Sequence, residues 1–257
     1  MLEGFTVPHT PTGRSSLVTA PPWHYAGRVA SFACELDADT AQRFLPPDFG
    51  HATGRAYGHF CDWQATTDGS ELLDPAYALY AEYFHLLEAE RDGELRLFCP
   101  FIYVDQDIAL VRGLLQGWPK KLGSVRIARS MDLDHPAAGC VRAGTTLGAT
   151  LAVKDRRLVE ASWRFTGEPG ERLGFLATPT FGVVASPTLV GGADRGRGRL
   201  VRQDVSRTVV GPVHGATGEL RLLDAPRDEL GELAPSATVR ASVCELALTV
   251  DGVVEAA

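Results

Sequence analysis

Hydrophobic and polar positions alternate along most of this chain, which predicts short β-strands more often than helices. Segments rich in β-branched residues recur between turn residues, and few windows show the 3.6-residue period of a helix. The clearest predicted strands are residues 95–104, 145–153, 157–165, 199–210 and 238–250. The pattern therefore predicts an α+β fold, mainly antiparallel β, built as a sheet or barrel with a few short helices.

Two segments carry helix signals, residues 37–43 and 105–116. The first begins with an Asp-Ala-Asp-Thr cap and stops before two prolines. The second is predicted to be capped by Asp105 or Asp107 and to end at Gly117, ahead of a proline. Its predicted apolar stripe consists of Ile108, Val111, Leu114 and Leu115.

Polar residues recur at intervals of four near the end of the second helix. Arg112 and Gln116 share one helix face, Lys120 continues the spacing beyond the helix, and Ile108 and Leu115 are expected to face elsewhere. A cation, an amide and an amine would then converge on one pocket, which suits a substrate with a carboxylate and a carbonyl. The alternative is a solvent-exposed face of arginine and glutamine.

Composition indicates an ordinary globular protein of 257 residues, 45% hydrophobic and 22% charged. We expect an N-terminal arm, residues 1–22, and a single domain, residues 23–257, because no repeat or linker divides the chain. The net charge of −7 argues against a nucleic-acid partner. An acidic N-terminus without a long apolar run predicts a cytoplasmic protein that does not bind membranes.

Cysteines and histidines are too scattered to suggest a metal site. The five cysteines have no Cys-x-x-Cys spacing and are interpreted as small buried apolar groups. The seven histidines show no ligand spacing either. No metal or cofactor is expected, and the Arg-Gly run at 195–199 is interpreted as a solvated hairpin loop.

Lysine is rare in this chain, and two of its three lysines are adjacent, Lys120 and Lys121, whereas 22 arginines carry the remaining positive charge together with Lys154. Arginine stays protonated and cannot act as an amine nucleophile, whereas lysine can form a Schiff base with a carbonyl. A lysine doublet is commonly a solvated surface charge. Here the flanking residues Trp118-Pro119 and Leu122-Gly123 argue against that interpretation.

The segment Trp118-Pro-Lys-Lys-Leu-Gly123 resembles the signature of the acetoacetate decarboxylase superfamily. The resemblance extends over nearly the whole chain and implies a β-barrel or cone with short helices and a homo-oligomer. Its further matches are Tyr25-Ala-Gly-Arg28, Leu36-Asp-Ala-Asp39, Leu45-Pro-Pro47, Tyr103-Val-Asp105 and Arg221-Leu-Leu-Asp224.

The resemblance also implies roles for particular residues. Lys120 matches the Schiff-base nucleophile, Arg28 matches an arginine of the family's pocket, and Glu82 matches a carboxylate that acts with the substrate. Asp62 falls at another family glutamate, although it is one methylene shorter. Glu245 is the best match to a late-strand glutamate found in members that act on 2-oxo acids.

Acetoacetate decarboxylase is a known case of a lysine activated by desolvation or by a neighbouring cation. Here Trp118 and Lys121 are the candidates for lowering the pKa of Lys120. If the doublet is extended, however, the two lysine side chains point to opposite faces. Desolvation by Trp118 would then be the larger cause.

The helix sequence decides between the possible reactions. Decarboxylases of the superfamily have Gly-Arg-Glu early in this helix, whereas Arg112 and Gln116 resemble members that bind pyruvate. We therefore favour an aldolase-dehydratase that condenses pyruvate, or a related 2-oxo acid, with an aldehyde. The alternatives are decarboxylation of the 3-oxo acid acetoacetate and a non-catalytic protein that binds small acids.

Overall fold

The computed structural model describes residues 1–185 and 198–256, apart from the side chains of residues 238 and 239. The predicted hairpin loop at 195–199 therefore lies mostly outside the described residues. The helices are α1 (Ala38–Gln42), α2 (Pro75–Ala78) and α3 (Asp107–Leu115). The strands are β1 (Trp23–Glu35), β2 (His51–Thr66), β3 (Leu79–Arg91), β4 (Glu94–Val104), β5 (Lys120–Leu122), β6 (Ser124–Ile127), β7 (Thr146–Val153), β8 (Arg156–Pro169), β9 (Thr180–Val184), β10 (Arg199–Val210), β11 (His214–Leu222) and β12 (Ala237–Glu255).

Seven of the described strands close a barrel in the order β1, β2, β3, β4, β9, β10 and β12, because β12 also pairs with β1. Neighbouring barrel strands are antiparallel except β4 and β9. The predicted mainly antiparallel barrel with few helices is confirmed. Closure leaves these strands without a free edge at which another chain could pair.

Strands β11, β8, β7 and β6 continue the sheet from β12 and fold back over the outside of the barrel. Residues of β1 consequently alternate between two cores. Tyr25 and Val29 pack inside the barrel, whereas Ala30 and Phe32 pack between the barrel and the outer strands. The barrel interior and this outer core are therefore separate environments on the two faces of one sheet.

Both predicted helices form, but only the first begins at the predicted capping residue. Asp37 caps α1 as expected, accepting a hydrogen bond from the backbone N–H of Thr40. The cap of α3 is Gln106, not Asp105 or Asp107, because the Gln106 side chain accepts from the N–H of Ala109.

The predicted apolar stripe of α3 is only partly correct, since Ile108 is buried and Val111 packs against the barrel core. Leu114 and Leu115 are exposed, whereas Ile108, Arg112 and Gln116 are buried. Residues 108, 112 and 116 are four apart, so Ile108 belongs to the face of Arg112 and does not point elsewhere. The face of this helix that meets the barrel therefore combines Arg112 with the apolar or small residues Ile108, Ala109 and Gly113.

The segment before β1 packs against one end of the barrel. Val18 is buried in the barrel core, and the indole N–H of Trp23 donates to the carbonyl of Thr19. No helix in the described residues is long and apolar enough to cross a membrane.

Candidate active site

The end of α3 places the lysine doublet at the barrel wall. Gly117 adopts a left-handed conformation with φ of 85°, and the N–H of Trp118 returns to the carbonyl of Gly113 at 2.9 Å. Such a turn ends the helix and favours glycine, because an L side chain is strained at positive φ. The chain then enters β5, which pairs in parallel with Ile102–Val104 of β4.

The doublet is extended, so its side chains separate as expected. Lys120 points into the barrel with its side chain 8% exposed. The Nζ of Lys121 lies 2.7 Å from Oδ2 of Asp228 and over the rings of Phe101 and Tyr103 on the other face. The expected role of Lys121 in tuning the Lys120 pKa is therefore not supported by the geometry.

Lys120 forms a buried ion pair with Glu82. Its Nζ lies 2.6 Å from Oε2 of Glu82, whose side chain is 7% exposed. The other oxygen of Glu82 accepts a hydrogen bond of 3.1 Å from the indole N–H of Trp63. The ring of Tyr80 covers the ammonium at 5.3 Å, and burial, followed by the charge of Glu82, raises the pKa of the Tyr80 phenol. An amine, a carboxylate and a neutral phenol thus meet in a water-poor site.

Arg112 is a buried cation without an acidic partner among the described residues. It is 4% exposed, and its guanidinium lies over the rings of Trp23 and Tyr25 at 5.8 and 5.7 Å. Buried charges are normally paired, because desolvating an unpaired charge costs several kcal/mol. A ligand carboxylate would supply the missing partner.

Gln116 lies beside this cation with its amide orientation fixed from both sides. Its NH₂ group donates to the hydroxyl of Tyr25 at 3.3 Å, and its oxygen accepts from the NH₂ group of Gln203 on β10. The expected convergence is met for Gln116 and Lys120, whereas Arg112 is not among the residues that line their cavity. Gln116 and Lys120 line one cavity, and Arg112 contacts Tyr25 in the wall of that cavity.

The cavity inside the barrel has a volume of about 460 Å³, within the usual range for small-molecule sites. Trp118 lines the same cavity as Lys120. Its apolar wall includes Trp63, Phe84, Leu86, Ile102, Phe175 and Leu246. Its polar lining includes Tyr25, Tyr80, Glu82, Gln116, Lys120, Arg172, Arg202 and Gln203.

Arg28, Asp62 and Glu245 do not line this cavity, which corrects the expectation that they join Lys120. Arg28 pairs in register with both Asp62 and Glu245 on neighbouring strands, so all three side chains emerge on the same, outer face. The guanidinium of Arg28 contacts Glu245 at 3.1 Å, and Asp62 lies 3.7 Å from Arg129. Strand alternation explains why Arg28 points outward. Tyr25 points inward, and residues an odd number of positions apart on a strand take opposite faces.

The sequence matches the acetoacetate decarboxylase family model over residues 6–256. The chain belongs to the acetoacetate decarboxylase family. Comparison with curated proteins gives no match. Solved structures show how closely the fold follows other members.

The enduracididine biosynthesis enzyme MppR, complexed with pyruvate, is 31% identical, with a TM-score of 0.91 over 99% of this chain and 98% of that one. MppR is also known in complex with the condensation product of pyruvate and imidazole 4-carboxaldehyde, at 32% identity, a TM-score of 0.91 and coverage of 99% and 97%. An acetoacetate decarboxylase-like enzyme from Sphingomonas wittichii RW1 is 25% identical, with a TM-score of 0.89 and coverage of 99% and 100%.

Several cavity residues of this acetoacetate decarboxylase family member escaped the sequence analysis. Tyr25 and Tyr80 could have been found by alternation, since Tyr80 is two residues before Glu82 on β3 and shares its face. Arg172, Arg202 and Gln203 carry no local signal. They reach the cavity only because β10 and the segment before β9 close the barrel.

The cysteine, histidine and acidic side chains of the described residues form no metal-binding cluster. The described residues contain no group of three or more His, Cys, Asp or Glu side chains able to hold a metal ion. All five cysteines are free, and four of them are buried, as expected for small apolar groups.

Proposed function

We propose that this protein is a Schiff-base lyase that condenses pyruvate, or a related 2-oxo acid, with an aldehyde and then removes water. The observation that carries the proposal is the buried Arg112, which has no acidic partner among the described residues and lies one helical turn before Gln116, near the Lys120–Glu82 pair. Two structures of MppR, which contain pyruvate or its condensation product with an aldehyde, support the same chemistry.

The first step joins the amine to the ketone. Glu82 accepts a proton from Nζ of Lys120, and the free amine attacks C2 of pyruvate. Loss of one water molecule gives an iminium. The pyruvate carboxylate meets Arg112 and the amide of Gln116, since a guanidinium can hold a carboxylate through two hydrogen bonds. The burial of Lys120 and Glu82 strengthens these polar contacts, because little water screens them.

The second step forms the carbon–carbon bond. A carboxylate removes a proton from the pyruvate methyl group, and the electron pair moves into the iminium to give an enamine. The enamine carbon attacks the aldehyde carbon, whose oxygen takes up a proton and later leaves as water. Hydrolysis frees Lys120, so pyruvate and an aldehyde yield an unsaturated 2-oxo acid and one water. We assign these proton transfers to Glu82, because its Oε2 lies 2.6 Å from Nζ of Lys120.

Arg112 also favours condensation over decarboxylation. Decarboxylation of acetoacetate requires its carboxylate to lose charge as carbon dioxide leaves. A cation that holds the carboxylate stabilises the ground state more than that transition state, and so slows the reaction. Condensation keeps the carboxylate charged throughout, so the same contact is retained in every step.

The decisive experiment is borohydride trapping of a pyruvate adduct, located by peptide mass spectrometry. We expect an adduct on Lys120 in the native protein and in Lys121→Arg, and none in Lys120→Arg, which keeps the charge without a usable amine. Pyruvate with an aromatic aldehyde should then give a conjugated absorbance band. Absence of the adduct would refute the Schiff base, and carbon dioxide release from acetoacetate without the band would favour decarboxylation.

A further inference from the structure

Tyr80 carries a buried hydroxyl that has no hydrogen-bond partner in the described part of the chain. Five of the six tyrosines are buried, and the other four buried hydroxyls all form hydrogen bonds, in Tyr25, Tyr57, Tyr83 and Tyr103. A buried hydroxyl normally has a partner, because leaving it unsatisfied costs free energy. Tyr80 lines the cavity, so a bound ligand would supply the missing acceptor.

The phenol of Tyr80 lies near the groups to which we assign the binding of pyruvate. Its ring lies 5.3 Å from Nζ of Lys120. Burial raises the pKa of this phenol, whereas the charge of Arg112 lowers it, which places the guanidinium within electrostatic range. The phenol of Tyr25 also lies within that range and accepts a hydrogen bond from Gln116. Tyr80 is therefore near the amine and near the groups assigned to the carboxylate.

The buried Arg112 does not by itself provide for a carboxylate in the cavity. It contacts Tyr25 in the cavity wall but is not among the residues that line the cavity. A carboxylate inside the cavity consequently needs donors on the cavity surface as well. Gln116 lies on that surface, but its amide already bonds to Tyr25 and Gln203. Tyr80 offers an O–H on the same surface that no described residue uses.

We propose that Tyr80 is a further substrate-binding residue, whose hydroxyl donates a hydrogen bond to the carboxylate of the 2-oxo acid held at Lys120. The inference rests on the proposed condensation, because it assigns a residue to the first substrate of that reaction. A hydroxyl donates to a carboxylate through a short, charge-assisted bond. A carboxylate has about four acceptor sites, so this bond adds to those from Arg112 and Gln116 without displacing them.

Borohydride trapping on Lys120 tests this role, because it can separate binding from chemistry. The variant Tyr80→Phe removes only the hydroxyl and keeps the ring near the amine. We expect the pyruvate concentration for half-maximal trapping rate to rise roughly 10-fold, as for the loss of one hydrogen bond to a charged group. The rate at saturating pyruvate should stay near native, because the same contact is made in the ground state and in the transition state.

Acetone is the matched probe, because it presents a ketone without a carboxylate. Its trapping rate should be the same in the native protein and in Tyr80→Phe. Tyr83→Phe is the control variant, since it alters another buried tyrosine of β3, which packs in the outer core and bonds to His85. It should keep the native values for both ketones.

Two results would overturn the role of Tyr80. One is an unchanged half-saturating concentration of pyruvate in Tyr80→Phe. The other is a lower maximal rate, or an equal loss with acetone, because the hydroxyl would then be acting on the ketone oxygen. Urea denaturation checks that the variant is folded. We expect no loss of stability, since the hydroxyl has no partner among the described residues.

The native protein separates this proposal from the proposed condensation. Absence of a pyruvate adduct from native protein contradicts the condensation itself. A normal adduct in native protein, with the same half-saturating pyruvate concentration in Tyr80→Phe, contradicts only the role assigned to Tyr80.

Discussion

Gly113 leaves room for the side chain of Lys120, because it has no Cβ atom. A Cβ atom at this position would lie 2.2 Å from Cδ and 2.4 Å from Cε of Lys120, closer than carbon atoms can approach. Glycine inside a helix costs about 1 kcal/mol relative to alanine. The helix therefore accepts a less favourable residue where the amine must pass.

Substitution of Gly113 by alanine should separate activity from stability. We expect Gly113→Ala to lower the rate of pyruvate adduct formation at least about 10-fold, while the better helix former offsets the local crowding in the free energy of unfolding. Trapping kinetics and urea denaturation measure the two effects. Leu114→Ala, at an exposed position on the same helix, should change neither rate nor adduct yield. A native trapping rate in Gly113→Ala would contradict the argument.

Glu82 offers a test of proton transfer at the same site. Glu82→Gln keeps an oxygen for the Trp63 indole but removes the base, so exchange of the pyruvate methyl protons with deuterium should slow by about 10²–10⁴-fold. Proton NMR in deuterium oxide follows the exchange. Glu88→Gln alters another buried carboxylate of β3, which accepts from Tyr57, and should leave the exchange rate near native. Rapid exchange in Glu82→Gln would show that another group is the base.

Residues of the candidate site differed in how far the sequence could predict them. Lys120, Gln116 and Arg112 lie within nine residues and share a spacing, so their proximity was predictable. Gln203 was not, since it reaches Gln116 from 87 residues away. The positions of Arg28 and Glu245 were misjudged because a family match assigns a strand position without the face that the side chain takes.

At the scale of an element, the extended strand β5 directs its two neighbouring lysine side chains to opposite faces of the sheet. Lys121 pairs with Asp228, whose side chain is 8% exposed and also accepts a 2.7 Å hydrogen bond from the hydroxyl of Tyr103. This contact ties β5 to the segment after β11. Lys121 is therefore a structural residue, whereas Lys120 is the residue to which we assign the Schiff base.

Replacing Lys121 should affect folding and spare the chemistry. We expect Lys121→Met to lower the free energy of unfolding by about 1–3 kcal/mol, because it leaves a mostly buried carboxylate without its cation. Urea denaturation measures the loss, and borohydride trapping should show a normal adduct on Lys120. Adding Asp228→Asn should recover part of the lost stability. If Lys121→Met abolished the adduct in folded protein, Lys121 would have to act on the amine.

The helix α3 shows where periodicity alone fails. Its pattern predicted Leu114 and Leu115 as buried positions, yet the buried face carries Arg112 and Gln116. The aromatic rings of Trp23 and Tyr25, which make burial of Arg112 possible, come from β1. A helix sequence contains no information about such a distant partner, so the usual assumption of an apolar inner face was wrong here.

At the scale of the whole molecule, strand positions were more predictable than strand pairing. Alternation located β4, β7, β8, β10 and β12 to within a few residues, apart from the longer C-terminal ends of β8 and β12. Barrel closure depends on pairing between β1 and β12, which lie at opposite ends of the chain. Local patterns do not specify such pairing and are compatible with a sheet or a barrel, and the family resemblance favours the barrel.

Two buried histidines should make the fold sensitive to mild acid. Burial lowers the pKa of His59 to about 3 and that of His85 to about 4, whereas unfolded histidine has a pKa of about 6.5. Below about pH 6.5 these two histidines therefore bind protons in the unfolded chain but not in the folded protein. The free energy of unfolding consequently decreases as the pH decreases. The free energy of unfolding can change by about 1.4 kcal/mol per pH unit for each histidine.

Urea denaturation between pH 7 and pH 5 measures this dependence. The window lies above the range in which Asp37 and Glu71, whose pKa values are lowered by hydrogen bonds, begin to bind protons. His85→Gln should reduce the slope by about half, whereas His9→Gln, at an exposed position, should leave it unchanged. A stability that does not vary across this window would show that the buried histidines open to water before the protein unfolds.

The alternation of β1 between the barrel interior and the outer core has an evolutionary consequence. Residues close together on this strand are under different selective pressures. Tyr25 lines the cavity, whereas Arg28 forms an ion pair with Glu245 on the outer face. Changes in the chamber need not disturb the contacts that join the layers. A scaffold divided in this way can acquire new substrates by successive point mutations while its architecture is inherited intact.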